Sequence, residues 1–296
     1  MLRLLKKIKG LSNRHQMSLW KVLPYEIFIR TYQNLTVRHI FKYFFRLKNP
    51  SNVYFVLGCY NSGTTVIKNA IALHSDITVA PVEGDLLTSA FSHYEMMGSP
   101  RCMYADAFQI MQDRKYSMVS SKQAISDWRP WISSEKIFLE KSISNTLRIN
   151  SLREAFSGTK FICVTRNLEG VVRGINKRSF PSGIFQHILG DNKYPANLLI
   201  RQWLMFYSLV LDDIDEEKAD VYLVSYEKFL SSPADELNNM YTFLGLNEME
   251  LAYESGTLNI GGNILHIREQ SKGSATKYLD SCNKLLSEIN EIEGKL

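Results

Sequence analysis

The stretch FVLGCYNSGTT, Phe55–Thr65, decides the fold. An apolar run enters Gly58, four residues follow, and Gly63, Thr64 and Thr65 close the pattern. This spacing predicts a strand, a glycine loop and the first turn of a helix. A loop of the form G-x-x-x-x-G-K-[S/T] cradles the phosphates of ATP or GTP. Here Thr64 stands in the lysine slot. A Walker lysine reaches the β/γ-phosphates, so its absence argues against a P-loop kinase or NTPase. Gly63 still lets the backbone approach a ligand, the helix start favours an anion, and Ser62, Thr64 and Thr65 add hydroxyls. The expected ligand group is one phosphate-sized anion; the plain alternative is a glycine turn with no ligand.

Outward from this loop, short apolar runs suited to buried parallel strands recur: VYFVLG (53–58), ITVAP (77–81), KIFLE (136–140), KFICVT (160–165) and VYLVSY (221–226). Helical patterns lie between them, at 65–73, 144–156, 196–214 and 233–246. The last has Pro233 near its start and Gly245 near its end. Alternation of this kind predicts an α/β, P-loop NTPase-like three-layer sandwich, with a mainly parallel central sheet flanked by helices. Ligands of such sheets sit beyond the carboxyl ends of the strands. That rule selects residues 58–65 and 81–85, Lys141, Ser142, Arg166 and Tyr226.

Composition is that of a globular protein, at 45% hydrophobic and 22% charged residues. The net charge of +5 hides an asymmetry. Residues 1–49 carry eleven Lys or Arg against Glu26 alone, whereas the remainder is acidic. We therefore divide the chain into a basic helical extension, 1–49, and a domain, 50–296. MLRLLKKIKGL at the start is amphipathic and suits either peripheral contact with an anionic membrane or a solvated basic arm. No apolar stretch is long enough to span a bilayer, and no uninterrupted apolar segment suggests a secretory signal. Cys59, Cys102, Cys163 and Cys282 are widely spaced and form no metal-ligand cluster. The expectation is a cytoplasmic, optionally membrane-associated protein, with no metal and no nucleic-acid partner.

Four segments, in order, resemble the sulfotransferases that use 3′-phosphoadenosine-5′-phosphosulfate (PAPS). GCYNSGTTVIKNAIALHSDI resembles the 5′-phosphosulfate loop, usually [K/R]-S-G-T-T. EKSISNTLRINSLREAFSGTKFICVTRN resembles the segment ending in the 3′-phosphate strand and its arginine. VYLVSYEKFLSSPADELNNMYTFLGL resembles the Tyr-Glu, Pro, Phe-Leu-Gly-Leu segment, and REQSKGSATKYL, more loosely, the C-terminal nucleotide loop. Together they span about residues 53–280. The resemblance implies PAPS as co-substrate and a carbohydrate or glycolipid hydroxyl, less readily an amine, as acceptor.

It implies residue roles as well. Asn61, Ser62, Gly63, Thr64 and Thr65 would hold the 5′-phosphosulfate. Arg166 and Arg178 would hold the 3′-phosphate, with Gly174 where the family usually has Ser. Tyr226 would lie near the nucleotide, and Ser271, Lys272 and Gly273 would close over it, with Lys277 competing in register. Glu83 is the implied general base, with Asp85 and His93 as lesser candidates. Lys141 would stabilise the transferring sulfate, although Ile143 stands where a Pro often follows it. Trp128 and Trp131 offer either sugar stacking or core packing.

The main departure is Asn61, where most members carry Lys or Arg. Lys141 or Lys68 must then supply the cation, or activity is weak or lost. The alternative function is therefore a catalytically weak or inactive nucleotide-binding protein of this fold.

Overall fold

The computed structural model describes residues 19–90, 101–102, 119–181, 186, 193–213, 219–254, 257–260 and 263–266. The chain opens with helices α1 (Leu19–Tyr32) and α2 (Leu35–Phe41), the second capped by the Asn34 side chain on Val37 N–H. Strand β1 (Val53–Gly58) leads into α3 (Thr64–Ile71), and β2 (Ile77–Val79) follows. Next come α4 (Ser121–Trp128), β3 (Ile137–Glu140), α5 (Ile149–Ala155) and β4 (Phe161–Thr165). Then follow α6 (Leu168–Arg178), α7 (Ala196–Asp213), β5 (Val221–Ser225), α8 (Tyr226–Ser231) and α9 (Pro233–Leu244). Strands β6 (Ala252–Glu254), β7 (Thr257–Ile260) and β8 (Asn263–His266) form a separate antiparallel sheet that the sequence reading did not foresee.

The central sheet is five-stranded and wholly parallel, in the order β2-β3-β1-β4-β5. Alternation along β1 explains the two core layers. Tyr54 and Val56 pack with α3 and α9 residues such as Ile67, Ile71, Leu237 and Tyr241 on one face. Val53, Phe55 and Leu57 pack with Trp128, Leu152, Phe156 and Val210 on the other. Both faces are covered by helices, which is why the strands read as unbroken apolar runs. β1 lies between β3 and β4, so the chain leaves it where the strand order reverses, and a crevice opens there at the carboxyl ends.

The described part of the basic N-terminal segment is packed onto this frame. Tyr32 is fully buried in the second core layer and donates to the Asp127 carbonyl at 2.7 Å. Lys42 and Arg38 reach the Asp127 carboxylate at 3.2 and 3.8 Å.

Candidate active site

The loop forms as its residue types dictate. Gly63, at φ 101°, is the N-cap of α3 and sits against the Tyr226 ring; a Cβ there would fall 2.2 Å from that ring. Only glycine accepts both the left-handed backbone and the contact. Asn61 also takes a positive φ, 60°, a conformation asparagine tolerates better than most residues. Ser62 and Thr64 are buried under the loop, and Ser62 Oγ has no hydrogen-bond partner among the described residues.

Around the loop lies a cleft of ≈ 400 Å³. Asn61, Gly63, Thr64 and Thr65 form its floor, and Glu83, Arg101, Lys141, Arg166, Arg178 and Tyr226 line its walls. Among the described residues that line it, four are cations and one is a carboxylate, a balance suited to a multiply charged anion. Glu83 and Lys141 are joined in a salt bridge, bringing the ends of β2 and β3 together.

The support under this pair is a buried polar cluster. Glu140 is fully buried and accepts from Gly84 N–H at 2.7 Å and from the side chains of Ser142 and Asn145. Burial, reinforced by the neighbouring Asp85 carboxylate, pushes Glu140 up to about 7. Asp85 is itself buried; its N–H donates to Ser142 Oγ at 3.0 Å and its carboxylate accepts from Ser144 Oγ at 2.6 Å. It belongs to the scaffold beneath the cleft rather than to the lining.

Opposite, Arg166 stacks over Tyr226 at 4.7 Å from the ring centroid and donates to the Asn61 carbonyl at 2.5 Å. Burial depresses its pKa, opposed by Tyr226 and Glu227. An arginine stays charged through such shifts. Its Nε is buried without a hydrogen-bond partner among the described residues. Glu227 fixes the turn after Arg166 by accepting from Asn167 N–H and Nδ2.

The structure also places the remaining candidates. Lys68 does not line the cleft; it donates to the Ala80 carbonyl at 3.2 Å. Trp128 is fully buried and its indole N–H donates to Gly84, so it cannot stack on a sugar. Trp131 packs edge-on against Tyr32, 5.1 Å between centroids. His74 turns the chain after α3, accepting from Asp76 N–H and packing on Tyr241. His93, Ser271, Lys272, Gly273 and Lys277 lie outside the described residues.

Sequence reasoning missed Arg101 and Gly170. Arg101 donates to Asn61 Oδ1 at 3.2 Å, and nothing around it in sequence marks it. Gly170 leaves room for Arg166, since a Cβ there would stand 2.6 Å from Arg166 Nε. Gly174, four residues on, does the same for Asn61.

The family model for the sulfotransferase family matches residues 54–250. Among solved structures, a sulfotransferase domain from the Synechococcus PCC 7002 olefin synthase aligns at 21% identity, TM-score 0.40, over 68% of this chain and 75% of that one. A sulfotransferase from Alicyclobacillus acidocaldarius aligns at 17% identity, TM-score 0.46, over 68% and 82%. One from Mycobacterium tuberculosis H37Rv aligns at 14%, TM-score 0.41, over 82% and 83%. No curated protein matches the chain significantly.

Proposed function

We propose a reaction for this chain, which belongs to the sulfotransferase family: transfer of a sulfuryl group from PAPS to a hydroxyl, less readily an amine, of a carbohydrate or glycolipid. The observation that carries the reading is the cleft itself, where the described lining residues combine a glycine loop with four cations and one carboxylate. The residues fit the donor. Asn61 Nδ2, Ser62 Oγ and Arg166 Nε are buried donors without hydrogen-bond partners among the described residues, and anionic oxygens would satisfy them. The loop with Thr64 and Thr65 would hold the 5′-phosphosulfate, while Arg166 and Arg178 would hold the 3′-phosphate.

PAPS supplies an activated sulfuryl group whose leaving group is the nucleotide phosphate. Glu83 takes the acceptor proton as the acceptor oxygen bonds to sulfur and the bridging sulfur–oxygen bond breaks, its electron pair leaving with the phosphate. Lys141, already paired with Glu83, stands where it can share its charge with the sulfate oxygens. The cleft holds the reactants in line.

The test is titration of purified protein with 3′-phosphoadenosine-5′-phosphate (PAP), ADP and ATP–Mg²⁺. Binding of the first alone is expected. Preference for ATP–Mg²⁺ would overturn the reading in favour of a kinase. PAP binding with no sulfate transfer across a broad acceptor panel would point instead to a nucleotide-binding protein.

A further inference from the structure

We propose that Arg101 supplies the cation that position 61 lacks, that Asn61 acts as its positioning residue, and that Gly174 makes room for this arrangement. The inference rests on the donor site proposed above. The Asn61 side-chain oxygen accepts from Arg101 Nη1 at 3.2 Å and from Arg178 Nη1 at 3.0 Å, while its backbone carbonyl accepts from Arg166. One neutral residue therefore gathers three guanidinium groups at the loop. Lysine or arginine at 61 would keep the carbonyl that Arg166 uses but has no side-chain acceptor for Arg101 and Arg178, and its charge would repel all three.

The residue at 174 fits the same logic. A Cβ on Gly174 would lie 3.0 Å from Asn61 Cβ and 3.3 Å from its Cγ. A side chain there would require Asn61 or the helix to give by a few tenths of an ångström, which glycine avoids. The two departures from the family pattern, Asn61 and Gly174, are thus mutually adapted.

Arg101 is held for the role. Its φ is 63°, a left-handed conformation costly for a non-glycine residue. Its carbonyl accepts from the fully buried Gln202 side chain at 3.0 Å, and the next residue, Cys102, is buried. The guanidinium shares the cleft wall with Thr64, Thr65, Glu83 and Lys141. A charged donor there does what a loop lysine does: it stabilises charge on the sulfate and on the bridging oxygen.

The experiment compares PAPS with PAP, which lacks the sulfate. Dissociation constants for both are measured for the parent, Arg101→Gln, Asn61→Lys and the double variant. Arg101→Gln is expected to weaken PAPS at least tenfold more than PAP. Asn61→Lys should be neutral or harmful alone but should restore PAPS binding in the Arg101→Gln background. An equal loss for both nucleotides, or no rescue by Asn61→Lys, overturns the proposal. Failure of the parent to bind either nucleotide would instead overturn the donor assignment itself. Thermal melting of each variant separates unfolding from loss of the contact.

A different observation carries a second proposal: we infer that α1, α2 and the turn after them form a surface for anionic lipid. An apolar groove of ≈ 470 Å³ lies between the two helices, lined by Ile27, Phe28, Val37 and Phe41 among others. The same segment exposes large apolar side chains: Ile27 57%, Ile40 58%, Tyr43 73% and Phe44 77%. Arg30, His39, Arg46 and Lys48 are exposed around them, and the one acid, Glu26, is paired with Arg30 at 3.9 Å. Exposed aromatic side chains and cations in one segment suit an interface of acyl chains and anionic headgroups.

Co-sedimentation of the full chain with phosphatidylcholine vesicles, with and without phosphatidylserine, tests this. Binding to the anionic vesicles alone, weakened by salt and reduced at least tenfold by Phe41→Ser with Phe44→Ser, is expected. Unchanged binding in that variant, or self-association abolished by it without any vesicle binding, would overturn the lipid surface.

Discussion

At the residue scale, the cleft makes different demands on Glu83 and on its neighbours. Glu83 and Lys141 neutralise one another in the resting cleft, so removing one exposes the other. Glu83→Gln keeps the shape and loses the base. Transfer is expected to fall by about 10²–10⁴, with PAP binding unchanged, as read by turnover and titration. Retained turnover would remove Glu83 from the chemistry. Asn61 can be read in two ways. Read as a missing charge, it suggests a weakened enzyme, and restoring lysine looks like a repair. In the folded chain its oxygen is the acceptor for Arg101 and Arg178, so the same substitution breaks two contacts. Arg178, which the family resemblance pointed to, does line the cleft. Arg101 was not legible, because nothing in its own stretch marks a strand end or a motif.

At the scale of elements, legibility followed burial. The five central strands were read within one or two residues at their ends; β1, β3 and β4 are buried almost throughout and so form continuous apolar runs, while the less buried β2 and β5 were legible from their apolar content alone. Helix α6 was missed, since Gly170 and Gly174 and its charged residues hide a helical stripe that is nevertheless buried at Val171, Val172 and Ile175. Those glycines lie one turn apart beneath Arg166 and Asn61, so the helix gives up propensity to seat the site. The region read as one helix from 144 begins instead as a tight turn, Ile143–Leu147, with α5 following. Ser144 and Asn145 bond Asp85 and Glu140, and such local polar pairing competes with helix formation. The β7–β8 hairpin carried a signal that went unused, two apolar runs separated by Gly261-Gly262. The loop before α3 yields a sharp expectation. Gly63→Ala adds a Cβ into the Tyr226 ring and strains φ, so about 1–3 kcal/mol of stability should be lost, measured by urea unfolding. PAP affinity should fall with it; a variant with both unchanged would show that the loop relaxes freely.

At the scale of the whole molecule, the central question is what ties the basic N-terminal segment to the α/β frame. The described contacts converge on Asp127. Its carboxylate accepts from Lys42, Gln123, Thr88 and the Ser89 N–H, with Arg38 beside it. Burial works against its ionisation, but the bonds from Gln123, Ser89 and Lys42 more than offset this and hold it below the usual carboxylate range. A depressed folded pKa contributes stability above the ordinary value of 3.8 and loses it as pH falls through the folded value. Asp127 also joins the segment to the chain beside the cleft, because Arg38 donates to the Leu86 carbonyl and Leu86 lines that cleft. Asp127→Ala would leave Lys42 and Arg38 buried without their carboxylate. The expected cost is about 3–5 kcal/mol in urea unfolding at neutral pH, shrinking as the parent is acidified. Asp127→Asn keeps the shape and part of the bonding, and should show a smaller loss with a flatter acid limb. A full-sized loss that persists unchanged to low pH would show that Asp127 holds the segment by packing rather than by charge.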